Sequence, residues 1–87
     1  MTTLNFTANA EGKYEAIYEG ETGALQIVCK PGSEVFVMGD AGAGVYHVLD
    51  GGILRGATFL RLLDMTGLVR VKIESSTMPV KAIVGEA

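Results

Sequence analysis

The chain has 87 residues, seven basic against ten acidic and a single cysteine. That length fits one domain, residues 1–87, whose core is marginal, and one cysteine excludes both a disulfide framework and a Cys-based zinc site. The formal net charge of −3, with its cations scattered from Lys13 to Lys81, argues against a nucleic-acid surface.

No basic stretch followed by an apolar run opens "MTTLNFTANAEGK", so no signal peptide is expected, and the Asn5 glycosylation sequon carries no weight. The most apolar stretch, "GGILRGATFLRLLDMTGLV", is interrupted by Arg55, Arg61 and Asp64, so no transmembrane helix is expected.

In chain order, "TLNFTA" alternates, with Leu4 and Phe6 on one face. "KYEAIYE" sets Tyr14, Ala16 and Tyr18 against Lys13, Glu15, Ile17 and Glu19, the pattern of a half-exposed strand. "ALQIVCK" carries Leu25, Ile27 and Cys29 on one face. "KPGS" then signals a turn, since Pro presets one turn angle and Gly tolerates positive φ. "EVFVMGD" is apolar on both faces, which predicts cover on both. "GVYHVLD" has β-rich composition. "LVRVKIES" is the clearest strand of all, and "VKAIVG" closes the pattern. "GATFLRLLDMTG" is compatible with a short helix near residues 57–64 or with an irregular strand. Seven to eight short strands separated by turn signals predict an all-β antiparallel sandwich or barrel.

Candidate chemistry is sparse. Gly39, Gly42 and Gly44 in "VMGDAGAGVYHV" invite comparison with a phosphate-binding loop. Such a loop needs a Lys and a Ser or Thr, or a helix opening behind it, and Asp40 would repel a phosphate. A hairpin turn is the expected role. His47, the one histidine, lies in a predicted strand, and with Cys29 it falls short of a zinc ligand set. Catalysis by a Cys29 or serine nucleophile with His47 as base is a much weaker expectation than a structural histidine. Asp40, Asp50 and Asp64 fit turns better than a calcium loop. No enzyme, cofactor or metal is expected.

Hydrophobic residues make up 48% of the chain and twelve glycines come on top. That is well above the roughly 45–50% that apolar residues and glycine together reach in an ordinary domain. Too much apolar surface for one thin core predicts burial against partners. Phe36, Met38, Phe59, Leu60, Leu62, Leu63 and Leu68 are the candidate interface residues, and self-association, with a trimer as one expected form, is the expected outcome. A ligand-binding β module, for instance one for carbohydrate, is the alternative, with Tyr14 and Tyr18 as the candidate platform.

The segments "LNFTA…KYEA", "LQIVCKPGSEVFV", "GVYHV" and above all "VRVKIESSTMPVKAIV" together resemble a group of small all-β virion proteins of tailed bacteriophages. The resemblance implies a structural protein of the decoration, auxiliary capsid or head-fibre type. Such a protein is made in the bacterial cytoplasm, docks on other virion proteins, and touches neither nucleic acid nor membrane. It supplies no catalytic residues.

Overall fold

The computed structural model describes residues 2–20 and 23–85. It is all-β and antiparallel, with seven strands: β1 (Thr2–Thr3), β2 (Thr7–Ala8), β3 (Tyr14–Glu19), β4 (Ala24–Asp40), β5 (His47–Leu62), β6 (Arg70–Ser75) and β7 (Lys81–Gly85). They form one sheet in the order β1-β7-β4-β6-β3-β2, with β5 along the other side of β4. The sheet curls into a half-barrel.

The long β4 organises the fold. Its first half pairs with β7 (Leu25↔Val84, Ile27↔Ala82) and its second half with β6 (Val37↔Ile73, Gly39↔Val71). β5 runs beside both halves. Apart from Pro31 at the bulge, the odd-numbered residues of β4 face inward: Leu25, Ile27, Cys29, Ser33, Val35 and Val37 are all buried. They meet Leu54 and Phe59 of β5, Val71 and Ile73 of β6, and Ala82 and Val84 of β7, with Leu4, Phe6 and Met65 closing the ends.

The "KPGS" segment does not reverse the chain, as its turn signal predicts. It is a bulge within β4, where the register with β5 slips between Val28 and Ser33. Gly32 takes φ 85° there, which bends the strand without ending it. Side chains hold the bend. The Ser33 hydroxyl donates to the Lys30 carbonyl at 2.5 Å and accepts from the Thr77 hydroxyl at 2.6 Å, and the Ser76 hydroxyl accepts from the Glu34 amide at 2.9 Å. Pro31 lacks only a donor that a bulge leaves unused.

The segment 57–64 is not a helix. β5 continues as strand through Leu62, because Leu54 and Phe59 have a core to fill and their neighbours pair with β4. Alternation across the Gly56 bend (φ 137°) turns even positions outward after it, where odd positions faced out before.

Candidate assembly surface

The glycine-rich segment joins β4 to β5, and its chemistry is satisfied from within. Asp40 ends β4 with 0% of its surface exposed. One carboxylate oxygen accepts the amides of Gly42 (2.7 Å) and Gly44 (3.2 Å), and the other accepts from the Arg70 guanidinium at 2.7 Å. Gly42 and Gly44 have positive φ (114° and 79°), which turns their amides toward that carboxylate. A phosphate cradle would offer these donors to a ligand, whereas here the chain's own anion occupies them. The amide of Gly42 first, then Arg70, holds the Asp40 carboxyl below the ordinary 3.8. At the end of the same loop, the Tyr46 ring faces the cations of Arg70 (6.0 Å) and Lys72 (5.6 Å).

Cys29 and His47 are not brought together. Cys29 lies in the core with its sulfur 3.9 Å from the Ser75 hydroxyl, and burial pushes its thiol up. His47 is exposed at the start of β5, opposite Gly39. Among the described residues, no group of three or more His, Cys, Asp or Glu could hold a metal ion. Tyr14 and Tyr18 pack against the core instead of standing free as a platform.

The seven apolar candidates divide. Phe59 (9% exposed) and Leu63 (7%) belong to the core, and Leu68 packs against it beside Gly39. A helical reading would have grouped Phe59, Leu60, Leu62 and Leu63, but the strand period separates them. Phe36 and Met38 lie half-buried on the outer face of β4, where the Lys13 ammonium sits 5.5 Å over the Phe36 ring. Leu60 and Leu62 are different, being 71% and 84% exposed.

Leu60 and Leu62 share the outer face with half-buried Val28 and Ile83, since Gln26 of β4 pairs with both Leu60 and Ile83. Val80, exposed, adjoins them through its amide bond to the Val28 carbonyl. Earlier in β5, Ile53 and Val48 are exposed beside Phe36 and Met38. The composition signalled this excess of apolar surface, but only the register shows which leucines carry it.

The backbone of β5 is also available. Among the described residues β5 pairs with β4 alone. The Leu63 amide donates to the Gly23 carbonyl at 3.0 Å, so in this half the odd residues of β5 bond to β4. In an antiparallel pair the intervening residues point the other way. Thr58, Leu60 and Leu62 therefore direct their N–H and C=O groups to the open edge.

No family model matches the chain, and neither the curated proteins nor the solved structures include a match.

Proposed function

We propose that this chain is a structural building block whose copies associate through the outer face and edge of β5. A role on a phage particle surface, as decoration, auxiliary capsid or head-fibre component, is the setting that the sequence resemblance supports. The observation that carries the assembly reading is the exposure of Leu60 and Leu62 on a strand with one open side. Exposed apolar edge strands promote association unless charge, proline or a covering element blocks them. Here the outer face from Thr58 to Leu62 carries no charge, because Arg61 projects from the other face.

Light scattering after size exclusion, across a range of concentrations, tests this. The wild-type mass is expected to exceed the 9.2 kDa of one chain and to rise with concentration. Burial of one leucine is worth about 1.5–3 kcal/mol, so Leu62→Asp is expected to weaken association at least tenfold while leaving the fold intact. A wild-type monomer at every concentration would overturn the reading.

A further inference from the structure

Resting on that assembly reading, we propose that residues 58–62 of β5 pair antiparallel with the same segment of a second copy, about a twofold axis at Leu60. Thr58, Leu60 and Leu62 offer unpaired N–H and C=O groups at alternate positions, the spacing that an added antiparallel strand requires. A second copy of the edge presents the same groups and satisfies them reciprocally, as isologous contacts do.

Charge and geometry select the register. Centred on Leu60, the two Leu60 side chains meet on the outer face, each Leu62 lies opposite a Thr58, and each Arg61 lies opposite a Phe59. Centred on Arg61, two guanidiniums would face each other directly, and like charges opposite one another destabilise a sheet. Centred on Phe59, each Leu62 would run onto the Gly56 bend and lose its strand partner. Of these three registers, only the Leu60-centred one covers both leucines without a like-charge pair.

The area sets the strength. A standard interface covers about 800 Å² per partner, roughly one-sixth of the 5019 Å² surface of this chain. Five residues of added strand with two leucines fall short of that. Interfaces below about 1,200 Å² in total belong to weak contacts, so the dimer is expected to dissociate in the micromolar range.

Cysteine cross-linking reads the register directly. In a Cys29→Ser background, Leu60→Cys places two sulfurs at opposed positions whose Cα atoms lie about 5.5 Å apart, within disulfide reach. Leu62→Cys places them about 13 Å apart along the strands, beyond it. Under mild oxidation the Leu60→Cys protein is expected to form covalent dimers at least tenfold faster than the Leu62→Cys protein. Thr58→Pro removes an outward amide but no leucine, and is expected to raise the dissociation constant while circular dichroism stays unchanged. Equal cross-linking rates, or faster cross-linking at position 62, would overturn the register even if light scattering still shows an oligomer. A monomer by light scattering would remove the assembly reading along with it.

Discussion

Gly52→Ala is expected to leave little folded protein. Gly52 is buried where β5 regains its register with β4, between Val48 and Ile53. A Cβ there would lie 2.6 Å from the Val37 carbonyl oxygen and 2.9 Å from that of Leu49. Both obstacles are backbone, so neither can rotate aside, and relief requires the two strands to part. Overpacking of this kind costs about 3 kcal/mol or more. A domain of this size has roughly 4–13 kcal/mol in total. Thermal melts followed by circular dichroism will show the loss. Gly42→Ala is the control, because its Cβ would meet nothing within 4 Å and only the φ of 114° opposes it. Backbone strain alone is expected to lower stability there by about 1–3 kcal/mol, with no parting of strands.

Asp40→Ala is the second large effect. The substitution leaves the amides of Gly42 and Gly44 without their acceptor and Arg70 without its partner. The melting temperature should fall by several degrees, and amide exchange at Gly42 and Gly44 should accelerate by orders of magnitude. Asp40→Asn, whose side-chain oxygen can still accept both amides but which offers Arg70 neither a charge nor an acceptor, should fall between wild type and Asp40→Ala.

The same carboxylate sets an acid limit. Its folded pKa lies below the ordinary 3.8, so its stabilising effect is complete above that value and is lost as pH falls through the folded one. Asp64, held below the ordinary value by the Thr66 amide and hydroxyl, contributes with the same sign. Acid titration of the melting temperature should therefore be flatter below pH 4 in Asp40→Asn than in wild type, with Asp64→Asn giving a smaller change of the same kind.

Legibility of the sequence varied with the periodicity available. Strands that alternate cleanly were readable. Val71 and Ile73 of β6 and Ala16 of β3 face inward as their spacing implies, and Leu4 and Phe6 share the core. Val80 does not follow Ala82 and Val84 inward, because the chain reaches β7 only at Lys81, and it remains 74% exposed. Local signals misled where two structures share one composition. A Pro-Gly pair suits a turn and a bulge equally, and what decides at Pro31–Gly32 is the pairing of both flanking halves with β5, a long-range fact. Phe59 to Leu63 satisfied both helical and strand periods, so the exposed leucines could not be told from the buried ones. The role of Asp40 was partly visible as an aspartate before a G-x-G turn, but its partner Arg70 lies thirty residues away and no local pattern links them.

The position of β4 also dictates when the protein can fold. Its second half waits for β6, and its first half for β7, more than fifty residues downstream of Leu25. A nascent chain that has reached β5 holds the short β2–β3 hairpin and the long β4–β5 hairpin, whose inner face, from Leu25 to Val37, still lacks the strands β6 and β7. Pairings this distant in sequence form slowly, on the millisecond-to-second scale rather than in microseconds. During synthesis that hairpin is the species most exposed to aggregation, and it is the state on which a chaperone would act.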